Sequence, residues 1–310
     1  MKTIESTLSN PQASAGKPSF KRLRFGVSAL VLAISGLGMA QPVVAAVFNP
    51  FINITGKVEF DSLGTPTLPT NATQNGELIR VVGGATTTTS LINDQIVGDD
   101  PLSGSLSDIG DGFGIKLHAE GGSKDEPSFM SSLFGDLALS IRNSSAVDTF
   151  LVSLKFDFSH LVAAPETKTI KGNGDFAQSI VQLHKKDNSE LLFSKLISDT
   201  VFGNEARPAS APDQNTASGY GGKLVDSGSR LLTFILHPGE LLELGDDSPE
   251  LTLFGGADPG AFFLADTSAF LSVAEVTRQT TNTVPEPETL LLMAIGLLSF
   301  GLSKRRASTC

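Results

Sequence analysis

From Phe150 to Phe158 the chain alternates: Phe150, Val152, Leu154, Phe156 and Phe158 fall on one side of an extended backbone, and Ser153, Lys155 and Asp157 on the other. A period of two is the geometry of a strand with one face on a core and the other in water. Shorter runs repeat the pattern at Ile54–Phe60, Ile115–Glu120, Leu137–Ile141 and Leu232–Leu236. Apolar runs at Ile180–Leu183, Leu191–Leu196, Leu251–Phe254 and Phe270–Val276 add more strands of the buried kind. Between them lie turn formers. Lys186-Asp187-Asn188-Ser189 reads as a hairpin loop and Pro238-Gly239 as a turn. No stretch of the body carries a helical stripe over three turns. About nine or ten strands therefore predict an all-β chain, an antiparallel β-sandwich or jelly-roll-like single domain. The 20 Phe residues suit the facing sheets of such a core.

Two segments look like excursions from that core. Thr86–Thr89 reads as an exposed strand or a glycosylated loop. Gly203–Gly222, rich in Ala, Pro, Ser and Gly, reads as a long loop that includes Tyr220. Thr277–Thr283 reads as a Thr-rich linker following a body of residues 47–276.

Both ends differ in kind from the body. Lys17, Lys21, Arg22 and Arg24 precede an uncharged apolar run, Phe25–Met39, and small residues follow at Val44-Ala45-Ala46. That order is a signal peptide over residues 1–46, with cleavage expected after Ala46 by signal peptidase. At the other end Val284-Pro285-Glu286-Pro287 precedes an apolar run, Thr289–Leu302, and then Lys304-Arg305-Arg306. Two prolines hold the backbone extended and non-helical just before the apolar run. As a helix, the 14-residue run would rise about 21 Å, short of the roughly 30 Å of a hydrocarbon core. Basic residues beyond it stay cytoplasmic and orient the body outward.

At Val284, Pro285, Glu286 and Pro287, the apolar run, and Arg305 and Arg306, the chain resembles the PEP-CTERM family of sorting signals. Exosortases recognise these signals in Gram-negative bacteria that make exopolysaccharide. The resemblance covers Val284–Arg306 alone, within a segment 284–310 read as a sorting motif with an apolar transmembrane helix and a basic tail. It implies recognition at Pro285-Glu286-Pro287 by an exosortase-like enzyme, transient anchoring in the inner membrane, removal of the tail, and release to the outer surface or a biofilm matrix.

Charge and residue chemistry narrow what the body can do. Between Val47 and Val284 there are 15 Lys and Arg against 30 Asp and Glu. A field of that sign repels phosphate backbones, so nucleic acid is not an expected partner. The one cysteine is Cys310, which leaves the body without a disulfide, a thiolate metal site or a thiol nucleophile. No G-x-S-x-G, H-E-x-x-H, Walker or C-x-x-C pattern occurs in the body, so the expectation is a protein that is not an enzyme. The four histidines, His118, His160, His184 and His237, match no metal spacing and read as surface residues.

Acidic residues gather at Asp99, Asp100, Asp108 and Asp111 among glycines, and again at Asp246, Asp247 and Glu250. Carboxylates on Gly-bearing loops are what Ca²⁺ uses, although the spacing is not that of an EF-hand, and Asp and Gly are equally the residues of solvated turns. No cofactor is expected beyond that calcium reading. Paired carboxylates would also serve glycoside hydrolysis, but nothing selects a pair. With no Trp and one Tyr the chain lacks the usual aromatic platforms for sugars. The expectation is an exported, exosortase-sorted extracellular protein with a structural, adhesive or exopolysaccharide-associated role. A polysaccharide-active enzyme and a calcium-dependent binding module are the alternatives.

Overall fold

The computed structural model describes residues 50–60, 70–93, 95–167, 174–245 and 249–279. Ala46, the apolar run from Phe25, Val284 to Pro287, Arg305 and Arg306 lie outside the described residues, as do Asp246 and Asp247.

The described residues form two antiparallel sheets and no helix. From edge to edge, one sheet holds β11 (Glu205–Arg207), β10 (Glu190–Asp199), β9 (Phe176–His184), β14 (Leu251–Ala257), β7 (Ser128–Asn143), β1 (Ile52–Phe60) and β5 (Leu102–Leu106). A short strand, β13 (Leu241–Leu244), also pairs with β7. The second sheet runs β12 (Tyr220–Leu236), β8 (Thr149–Thr167), β15 (Phe263–Gln279), β6 (Gly112–Gly121), β2 (Ala72–Val82), β3 (Ala85–Ile92) and β4 (Gln95–Val97). The all-β sandwich expected from the alternation is the fold.

The Phe150–Phe158 stripe is the inward face of β8. All five of its side chains are buried against the opposite sheet. Ile54 and Val58 of β1, Ile115 and Leu117 of β6, Leu137 and Ile141 of β7, and Leu251 and Leu253 of β14 meet it in one continuous core. Full burial of each large apolar side chain contributes about 1.5–3 kcal/mol, which supplies a body without disulfides its stability. Between β14 and β15 a side chain is omitted. A Cβ on Gly255, at a register shift in β14, would collide with the ring of Phe263, which is itself buried.

Several expectations need correction. The strands number fifteen among the described residues, and three of them reach 17 to 19 residues. The Thr-rich linker begins later than residue 277: Thr277, Arg278 and Gln279 end β15, paired with Leu151, Phe150 and Thr149. Gly203–Gly222 is not one loop, since β11 lies within it and Tyr220 opens β12 opposite Thr167. Of the two readings of Thr86–Thr89 the exposed strand is the one observed, in β3, except that Thr89 is buried and donates to the carbonyl of Asp99 at 2.5 Å.

Candidate functional site

The inward row of β8 does not stop at Phe158. It continues through His160, Val162 and Ala164, all buried, so His160 is a core residue and not the surface histidine expected from sequence. Across the interior the inward rows of β9 and β10 place Ser179 and Ser194 against its ring, and β12 brings Asp226 beside it in register. Ser194 Oγ donates to Asp226 Oδ2 at 2.6 Å. The His160 ring contacts Ser194 Oγ through Nε2 at 2.8 Å and Ser179 Oγ through Nδ1 at 3.1 Å.

The proton positions follow from the acceptors. A carboxylate only accepts, so the Ser194 proton is committed to Asp226 and a Ser194 lone pair faces Nε2. Nε2 therefore carries the ring hydrogen of a neutral imidazole, and Nδ1 accepts from Ser179. Burial lowers the His160 pKa against the opposing pull of Asp226, which keeps the ring neutral. Burial would raise Asp226, but His160, the Ser194 hydroxyl and the Ala209 N–H together outweigh it and bring its pKa to about 2.

Ser, His and Asp are the residue types of an acyl-transfer triad, but the connections differ from one. A nucleophile must hand its proton to the imidazole. Here the hydroxyl donates to the carboxylate instead, and Ser179, Ser194 and His160 are fully buried. The arrangement is a polar tie between the two sheets.

On the outward side of the second sheet, His118 of β6 lies opposite Asp266 of β15, with Nδ1 2.6 Å from Oδ1 and Glu120 at 3.9 Å. The Asp266 hydrogen bond raises the His118 pKa, against partial burial. NMR should place the imidazole titration above 6.5, and Asp266→Asn should bring it down; no change in that variant would refute the pairing. The sign for stability follows. The contribution is complete below the unfolded value and is lost as pH rises through the folded one.

The four calcium candidates do not come together. Asp99 and Asp100 precede β5, whereas Asp108 and Asp111 follow it. Asp111 is buried, and its carboxylate accepts from the main-chain N–H of Gly83 at 2.8 Å, Ser107 at 2.9 Å and Asp108 at 3.0 Å. Asp100 Oδ1 accepts from Phe60 N–H at 3.3 Å, and burial raises its pKa. Asp108 Oδ2 accepts from the Ser107 hydroxyl at 3.3 Å. Among the described residues no three His, Cys, Asp or Glu side chains are grouped to hold a metal ion.

A shallow trough of about 420 Å³ crosses the outer face of the first sheet over β1, β5, β7 and β13. Thr55, Ser103, Ser105 and Ser140 supply hydroxyls, and Lys57, Lys186 and Glu243 supply charge. Such a surface offers hydrogen bonds to a polar ligand without an apolar platform.

Residues 283–306 match the model of the PEP-CTERM protein-sorting motif. The chain carries a PEP-CTERM sorting signal. The PEP-CTERM match implies export, transient membrane anchoring and processing by exosortase-like machinery. A comparison with curated proteins finds no match. Among solved structures, the infectious bursal disease virus Gt strain is similar at 8% identity over 81% of this chain and 73% of that one, with a TM-score of 0.16. The Gx strain gives 11% identity over 82% and 74%, also at a TM-score of 0.16. Superpositions this loose bear on neither fold nor function. No helix among the described residues is long and apolar enough to cross a membrane.

Proposed function

We propose that the body is a non-enzymatic extracellular β-sandwich, delivered by its PEP-CTERM tail to the outer surface or an exopolysaccharide matrix, where it acts structurally or adhesively. The observation that carries this reading is the motif match at residues 283–306 following a strand-built body. Two further features support it. The Ser-His-Asp cluster is wired as a tie between sheets, and the hydroxyl-lined trough offers a polar surface to a glycan.

Mass spectrometry of the C-terminal peptide from membrane and extracellular fractions of the native host tests the address. The expected terminus in the extracellular fraction lies near Val284–Pro287. Replacing Pro285, Glu286 and Pro287 together with alanine should shift the protein to the membrane fraction with its tail intact. An intact tail through Cys310 in membranes of the unaltered strain would overturn the sorting step. Turnover of host exopolysaccharide by the protein, dependent on one carboxylate, would overturn the non-enzymatic reading.

A further inference from the structure

Among the described residues, three of the four sheet edges are blunt: β11 and β4 have three residues each and β5 has five. Short edge strands are one way a sandwich avoids pairing with its neighbours. The fourth edge is β12, with 17 residues. Among the described residues, the main chain of Lys223–Ile235 pairs with β8 and with no other strand. Every second residue therefore turns its N–H and C=O outward along a long open edge. Val225, Leu231 and Ile235 stand on its outer face, each more than half exposed.

The central stretch of this edge, Leu224–Leu232, is a palindrome in polar and apolar class. About Gly228, antiparallel pairing with an identical strand puts Ser227 opposite Ser229, Asp226 opposite Arg230, Val225 opposite Leu231 and Leu224 opposite Leu232; beyond these the match ends, with Lys223 opposite Thr233, Gly222 opposite Phe234 and Ile235 opposite Gly221. Apolar pairs directly across a ladder are stabilising combinations, and these carry the match, because Asp226 and Arg230 both already bond the main chain of Ala209 within the chain. Moving the register by two residues in either direction sets Leu231 opposite Ser227, or Val225 opposite Ser229. A shift of one residue would bring inward side chains opposite outward ones.

The same palindrome would suit a hairpin turning at Ser227-Gly228-Ser229. Instead β12 runs straight through, and Gly228 leaves room for the ring of Phe158 beneath it. The apolar residues of the two halves, Leu224 and Val225 on one side and Leu231 and Leu232 on the other, are held apart along β8.

We propose that β12 is the homodimer interface of this protein, joining two copies edge to edge about a two-fold axis at Gly228 into one continuous sheet. A two-fold pairing is isologous and closes after two copies, so it satisfies the open edge without producing a fibre. It also presents two copies of the outer trough on one assembly, doubling the valency of a weak polar surface.

Sedimentation of the protein recovered in native form from its host should give twice the monomer mass at micromolar concentration. Register is tested by cysteine pairing in a Cys310→Ser background. Chains carrying Val225→Cys and chains carrying Leu231→Cys, mixed, should form a disulfide-linked pair under mild oxidation. Val225→Cys alone should not, because its two copies would stand six residues apart, about 20 Å. A monomer at these concentrations, or equal cross-linking by Val225→Cys alone, would overturn the proposal. So would a dimer whose mixed cysteine chains fail to link.

Discussion

Asp111→Ala should lower the stability of the body by about 2–3 kcal/mol, seen as an earlier midpoint in urea, and should do so equally with EDTA or with millimolar Ca²⁺. The reasoning is local. Asp111 is buried, and its two oxygens accept three main-chain N–H groups, from Gly83 in the β2–β3 turn and from Ser107 and Asp108 in the β5–β6 connection. Gly83 and Ser107 are exposed and Asp108 is half-buried, so their N–H groups regain water when the carboxylate is removed, and the loss is the net worth of bonds to a charged acceptor, about 1.5–3 kcal/mol before that compensation. Its main chain is also engaged, since the carbonyl of Asp111 accepts from Val273 of β15 at 2.9 Å. The side chain thus pins two turns to the strand that begins beside it. For a body of this size the loss corresponds to roughly 10 °C in melting temperature. A calcium role makes a different forecast. Ca²⁺ would then raise the wild-type midpoint, and the variant would lose that increment, because a ligand bound only to the folded state must stabilise it. A wild-type midpoint that rises with Ca²⁺ and a variant whose midpoint does not would refute the turn-pinning account.

This residue also illustrates what a linear sequence conceals. Asp99, Asp100, Asp108 and Asp111 look like one acidic, Gly-bearing cluster when read along the chain. The extended strand β5 divides them, and each half is used by the main chain nearby. The Phe150–Phe158 stripe was legible because both sheets bury that face completely, so apolar chemistry and geometry coincide residue by residue. His160 occupies the next inward position. An apolar pattern ends there, but the parity continues through Val162 and Ala164, and that was the available signal. Ser179 and Ser194 likewise keep the parity of Val181 and Leu192. A polar residue on an apolar row is found by counting twos, not by hydrophobicity.

The outer strands were harder to read for a different reason. Lys223–Leu231 pairs with β8 on one side and is covered on neither face as fully as the core strands, so its side chains need not alternate and Leu231-Leu232 can stand together. Thr277–Gln279 extend β15 through main-chain pairing with β8, which places no demand on side-chain type. The sorting motif is the opposite case. Its recognition depends on a short run of residues in order, so the sequence displays all of it.

Asp226→Asn should remove about 2 kcal/mol of stability at neutral pH and progressively less in acid, until the two proteins converge near pH 2. Asp226 has a folded pKa of about 2 against an ordinary value of 3.8. A carboxylate depressed in this way stabilises the fold above its unfolded value, and the contribution fades as pH falls toward the folded one, because the unfolded chain takes up the proton first. Each unit of difference corresponds to 1.36 kcal/mol, which sets the size of the effect. His160 acts in the same direction over a higher window. Its lowered pKa means that the unfolded chain binds a proton below about pH 6.5 while the folded ring stays neutral, so stability declines from there downward. His118, raised by Asp266, contributes oppositely in that window and partly offsets it. Comparing urea midpoints of wild type and Asp226→Asn at pH 7, 5, 4 and 3 removes His118, which is common to both proteins and paired elsewhere, and reads Asp226 together with its hold on His160, whose pKa it pulls upward. A gap that stayed constant from pH 7 to pH 3 would mean that the tie between Ser194, Asp226 and Ala209 does not depend on charge, and the assignment of Asp226 as its anionic anchor would fail.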